Sequence, residues 1–250
     1  MKRGRLALLL VAGLLVFGTV LVAYLPASWV VVRLPAGLQI ECGDVGGSIF
    51  EGECLGAKFQ GKALGDATWN IGRLALLRGR LIGDVDLRGA LNARADLDMN
   101  LSGNGELRNL VANFPLDPQV IPQAPSEQRG TLVADLKRVV LENRAPRAIE
   151  GNLELQNFRQ VGARPLELGS YRVAFDGKTQ PDGNAVGKLS DLGGPFEMVG
   201  TVTLIPPDGY LVQGTIAGRT AQAESLVREI TVGAPPDTTG RTPFSLEGSY

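Results

Sequence analysis

The sequence predicts an all-β protein carried behind a single N-terminal transmembrane helix, and three observations predict it. From Leu91 to Leu101, the apolar Leu91, Ala93, Ala95, Leu97, Met99 and Leu101 alternate without exception with Asn92, Arg94, Asp96, Asp98 and Asn100. That is the period of a strand with one buried and one wet face. Gly (33) and Pro (15) are abundant in the 250 residues and follow no Gly-x-y period, which suits a turn-rich sheet protein and excludes collagen. Residues 6–25 carry no charge and consist mostly of Leu, Val, Ala, Gly and Phe.

That apolar stretch comes first in the chain. Twenty residues of helix span about 30 Å, the thickness of the bilayer's hydrocarbon core. Lys2, Arg3 and Arg5 precede it, so the positive-inside rule leaves residues 1–5 as a cytoplasmic tail and sends 26–250 across the membrane. Tyr24 and Trp29 stand where an interfacial aromatic belt belongs, and Pro26 ends the helix. The cleavage signal after the span is weak, so the expectation is an uncleaved anchor. Removing 1–25 takes three basic residues and no acidic ones from a net charge of −1, leaving the exported part at −4.

Cys42 and Cys54 are the only cysteines and flank a Gly-rich reversal. In an oxidising compartment that arrangement reads as a hairpin disulfide, which stabilises a loop of this size by about 3 kcal/mol. Gly43 to Gly52 between them lacks the Gly-Lys-Ser/Thr of a phosphate cradle. It reads as strand and turn bearing one aromatic anchor, Phe50. Leu64 to Trp69 begins the next strand. Leu81, Gly83, Val85 and Leu87 alternate with Ile82, Asp84, Asp86 and Arg88, and Gly89-Ala90 separates or bulges this run from the one that follows.

Leu107, Leu110 and Val111 keep a helical spacing and predict a short helix. Pro115 to Pro125 reads as a connection between two related halves, about 38–114 and 130–250. Alternation resumes at Leu132, Ala134 and Leu136, at Leu153 and Leu155, and at Tyr171, Val173 and Phe175. Phe196 to Leu204 and Tyr210 to Ile216 form a hairpin about Pro206-Pro207-Asp208-Gly209. Ala223, Leu226, Val227 and Ile230 predict a second short helix with Thr220 as its N-cap. A last strand runs from Phe244 to Leu246. Leu64-Gly65 and Leu168-Gly169 open similar blocks, so the body is expected to be two related antiparallel units, forming either one curved sheet or a sandwich.

The chain has no histidine, which removes His-dependent triads, His-ligated metal and any imidazole base. The near-neutral charge argues against nucleic acid as a partner. Asp84, Asp86, Asp96 and Asp98 read as an ion-paired sheet face beside Arg80, Arg88 and Arg94, and Arg73, Arg78 and Arg80 as cross-strand pairing residues. No catalytic, cofactor-binding or metal-binding residue is predicted.

Several blocks in this order resemble the type II secretion system protein N family: Leu25-Pro26-Ala27 at the end of the span, Gly47-Ser48-Ile49-Phe50-Glu51-Gly52, Leu64-Gly65 to Trp69, and Leu76 to Leu81. The likeness continues through Asp191 to Phe196, Asp208-Gly209-Tyr210 and Gly240-Arg241 with Phe244 to Gly248. Phe50 stands where the family usually has Trp, and the cysteine pair departs from the family's pattern. The resemblance implies a periplasmic β domain tethered to the inner membrane. It further implies partners among the platform subunits of that membrane and the outer-membrane secretin, and no enzymatic activity. Phe50, Trp69, Tyr210 and the last strand are the candidate partner-binding features, through desolvated anchors and edge pairing. The alternative is an anchored lipid-binding or lipid-bridging β groove. An uncovered apolar face would favour that reading and a side-chain-filled interior would count against it.

Overall fold

The computed structural model describes residues 25–31, 40–100, 102–118, 126–162, 165–231 and 235–249. The cytoplasmic tail and all but Leu25 of the expected membrane helix lie outside them, as do residues 119–125 of the Pro-rich connection. Among the described residues, no helix is long and apolar enough to cross a membrane.

One antiparallel sheet makes up the fold. Its strands are β1 (Ile40–Glu41), β2 (Asp44–Gly47), β3 (Glu51–Phe59), β4 (Lys62–Ile71), β5 (Arg80–Arg88), β6 (Asn92–Asn100) and β7 (Gly105–Leu116). They continue as β8 (Gln128–Glu142), β9 (Ala145–Gln160), β10 (Leu166–Thr179), β11 (Ala185–Asp191), β12 (Phe196–Ile205), β13 (Gly209–Gly218) and β14 (Thr242–Ser249). From β3 to β14 each strand pairs with its neighbour in sequence, while β1 and β2 both pair with β3 as one interrupted edge. Among the described residues three short helices decorate it: α1 (Ala27–Val31), α2 (Arg73–Leu77) and α3 (Ala221–Ile230).

Strict alternation within strands and regular register between them place one residue of each strand in a shared row. Cys54, Ala67, Leu87, Ala93, Ala112, Ala134, Leu153, Val173, Leu189, Gly200, Gly214 and Phe244 are successive cross-strand partners from β3 to β14. Every strand on that path contributes an apolar residue or a glycine. One residue along, Glu53, Thr68, Asp86, Arg94, Val111, Asp135, Asn152, Ala174, Lys188, Thr201, Gln213 and Ser245 form the matching row on the other face, polar but for Val111 and Ala174. The apolar face forms two cores. One is built on Leu136, Val139, Ile149 and Phe175; the other packs Ala223 and Val227 of α3 on Phe196 and Ile216. Among the described residues no second sheet covers the first core, so same-face side chains bury one another across the twisted sheet.

The expected helix at Leu107–Val111 is a strand, β7. Asn109 has φ 50° and is the extra residue of a bulge, because Arg94 pairs with Val111 and Asp96 with Arg108, leaving two residues opposite Ala95. A bulge adds one residue between inward positions, so Leu107 and Leu110 both face the core at a spacing that imitates a helix. β8 repeats the device at Lys137, between Leu136 and Val139. The second expected helix is α3, capped by Thr220, whose Oγ1 accepts the Ala223 N–H at 3.2 Å. Gly89-Ala90 turns between β5 and β6. Four elements carry no signal legible in the sequence: α1, which begins just past the Pro26 that reads as a helix end, β1, α2, and the short strand β11.

Candidate interaction surface

The N-terminal edge is fastened by the hairpin between β2 and β3. Gly47 pairs with Gly52. Between them Ser48 Oγ accepts the N–H groups of Phe50 (3.3 Å) and Glu51 (3.2 Å), and the Ser48 N–H donates to the Glu51 carbonyl at 2.8 Å. The Ile49 N–H donates to the Leu25 carbonyl at 3.1 Å, and Pro26 bridges Ser48. Phe50 is only 4% exposed, its carbonyl accepts the Ile71 N–H, and the Arg73 guanidinium lies 5.6 Å from its ring centre. As a partner anchor Phe50 has no available face; it joins the hairpin to β4 and α2. Cys42 and Cys54 are bonded across the same edge with Cα atoms 5.5 Å apart.

Trp69 and Tyr210 are half-buried, and each covers a glycine on the neighbouring strand. Trp69 pairs with Gly52, where an added Cβ would stand 2.5 Å from the indole Cζ2. Tyr210 pairs with Gly248, where a Cβ would stand 2.6 Å from the hydroxyl. An aromatic laid over a glycine replaces the side-chain contact the glycine lacks. Trp69 lies near one end of the sheet and Tyr210 near the other, so the three aromatics do not form one patch.

The last strand is the open feature. Among the described residues β14 pairs with β13 alone, and its residues from Ser245 to Ser249 are exposed. Its start is held in place: Asp237 Oδ1 accepts the N–H groups of Thr239 (2.8 Å) and Arg241 (3.0 Å), and Arg241 is ion-paired to Glu197 of β12. Proline is tolerated on an edge strand where its missing N–H would face outward. Pro243 therefore sets the phase, and the outward donors belong to Ser245, Glu247 and Ser249.

A family model described as type II secretion system (T2SS), protein N matches residues 38–245. The chain belongs to the type II secretion system protein N family. A relative of that name from Vibrio cholerae serotype O1 is 27% identical over 252 residues, covering 94% of this chain and 96% of the relative. No solved structure matches the chain. The stretch that matches the protein N family opens just before β1 and closes within β14, so it takes in nearly the whole sheet.

In this protein N family member the polar face is laced by arginine–carboxylate pairs. Glu106 accepts from Arg138 of β8 and from Arg108 at 2.7 Å, and those bonds hold its carboxyl down at about 2. Arg80 pairs with Asp98 (2.5 Å), Arg88 with Asp86 (2.7 Å), and Asn109 donates to Asp96 (2.6 Å). Asp191 pairs with Arg219 at 2.8 Å, and burial pushes the neighbouring Tyr171 hydroxyl up to about 12. Four cavities of about 380 to 540 Å³ are open to solvent, with charged rims such as Glu224 and Arg228, or Arg138 and Glu142.

Proposed function

We propose that this chain is a non-catalytic, inner-membrane-anchored periplasmic component of the type II secretion system. It contributes to assembly or stability of the apparatus that exports folded proteins across the outer membrane, and joins platform subunits or the secretin by adding a strand to β14. The observation that carries this reading is the outer edge of β14: among the described residues it has no partner strand and is exposed, yet it is pinned in position by the Glu197–Arg241 pair. An ordered edge offers main-chain hydrogen bonds to a partner strand without first having to be ordered itself.

The test is a photoreactive residue at Glu247 of the full-length protein in its native membrane. Adducts to a platform subunit or the secretin are expected, and Ser245→Pro should abolish them by removing one outward N–H while leaving the β13 pairing intact. Adducts that persist undiminished in Ser245→Pro, or that never include a secretion subunit, would sink the edge-pairing role.

The continuous apolar row favours a second reading, in which an anchored groove binds or bridges lipid. Side chains such as Leu136, Val139 and Phe175 fill that face, however, leaving the first reading the stronger. Phospholipid or lipopolysaccharide adducts from a photoreactive residue at Val212, without protein adducts at Glu247, would reverse that ranking.

A further inference from the structure

We infer that α2 is a second membrane contact, which seats the corner of the sheet around Phe50 on the lipid–water interface of the leaflet the chain emerges from. The inference rests on the reading of residues 6–25 as a retained anchor. Three observations lead to it, and the first is that the chain has no slack on leaving the apolar stretch. The Leu25 carbonyl is already hydrogen-bonded to Ile49, Pro26 bridges Ser48, and Ala27 is 1% exposed. The Gly47–Gly52 hairpin is thereby held at the point where the apolar stretch ends.

Second, α2 belongs to that corner. Phe50 follows Ile49 directly, and Arg73, the first residue of α2, lies over the Phe50 ring. Third, α2 has the composition of an interfacial element. Leu74 is 72% exposed, the highest among the large apolar residues described, and Arg73 and Arg78 flank it with no acidic residue between. Trp29 on α1, four residues beyond Leu25, is 60% exposed. A leucine and an indole, with guanidinium groups able to reach up to phosphate, suit the boundary of hydrocarbon and headgroup. The exported part carries −4 in all, and Asp44, Glu51 and Glu53 belong to the same hairpin, but α2 itself presents Arg73 and Arg78 to anionic headgroups, and each arginine near such a surface contributes about 1 kcal/mol.

The test uses the full-length protein in vesicles of phosphatidylethanolamine and phosphatidylglycerol. Because Cys42 and Cys54 are bonded, Leu74→Cys supplies a single free thiol for an environment-sensitive fluorophore, read by quenching from lipids with shallow spin labels. Ile230→Cys is the matched control, since Ile230 is 67% exposed and sits on α3 at the far end of the sheet. The label at position 74 should be strongly quenched and the one at 230 hardly at all. Adding Arg78→Gln to Leu74→Cys should lower the ratio of docked to undocked protein about fivefold. Equal quenching at the two positions, with the N-terminus intact by sequencing, would overturn the docking alone. A mature chain that begins beyond Leu25 would overturn the anchor and the docking together.

Discussion

Glycine does its most specific work in this sheet beneath aromatic rings. Gly52 under Trp69, Gly187 under Phe175 and Gly248 under Tyr210 are cross-strand partners on the apolar face. At Gly187 an added Cβ would stand 2.4 Å from Val173 Cγ1 and 2.8 Å from Phe175 Cε1, inside the larger core. Gly187→Ala should therefore destabilise by about 1–3 kcal/mol, the range for overpacking a filled site, seen as a lower urea midpoint with unchanged slope. An unshifted midpoint would mean that Phe175 yields freely. None of these pairs is legible in the sequence, where Gly52 reads as part of a turn and Gly187 and Gly248 carry no signal of their own. Their aromatic partners lie far off along the chain and are found only once register is known. The prominence of Phe50 was legible, but its burial depends on Leu25 and Arg73 arriving from two other segments.

Strands were easy to recognise where alternation held and were misread where it broke. β5, β6, β12 and β13 follow period 2 nearly throughout, so their existence and faces could be read directly. Leu107, Leu110 and Val111 of β7 imitate a helix because the bulge at Asn109 moves the next inward residue from i+2 to i+3. Asn109 lies opposite Lys137, since Arg108 pairs with Arg138 and Leu110 with Leu136. β7 and β8 thus each carry one extra residue relative to β6 and β9. Deleting Asn109 and Lys137 together should cost less stability than deleting either alone, because the pair of deletions leaves β7 and β8 in register while a single one moves the mismatch between them. Thermal melts of the three variants would decide this, and additive losses would count against the matched-bulge account. The two Leu-Gly blocks make similar glycine contacts: a Cβ on Gly89 would lie 2.5 Å from Gly65 Cα, and one on Gly194 would lie 2.6 Å from Gly169 Cα. Each contact joins a Leu-Gly strand start to the end of the following strand.

At the scale of the molecule, the sequence left one curved sheet and a sandwich equally open, because a wet-faced alternating run is common to both. The structure is one sheet in meander order, and its longest strands, β7 to β10, lie in the middle beside the larger core. Stability should be graded accordingly. Native-state hydrogen exchange is expected to show the strongest protection in β8 and β9, falling toward β2 at one edge and β14 at the other. Uniform protection across all strands would show a single cooperative unit instead. The strand order has another consequence. With neighbours bonded in sequence from β3 to β14 and no crossover among them, a two-strand unit can be added or removed at any turn without inverting the faces of the rest. Each such unit changes the distance between the edges by roughly 10 Å of path. A sheet built this way has an adjustable span, which can change hairpin by hairpin while its two edges stay the same.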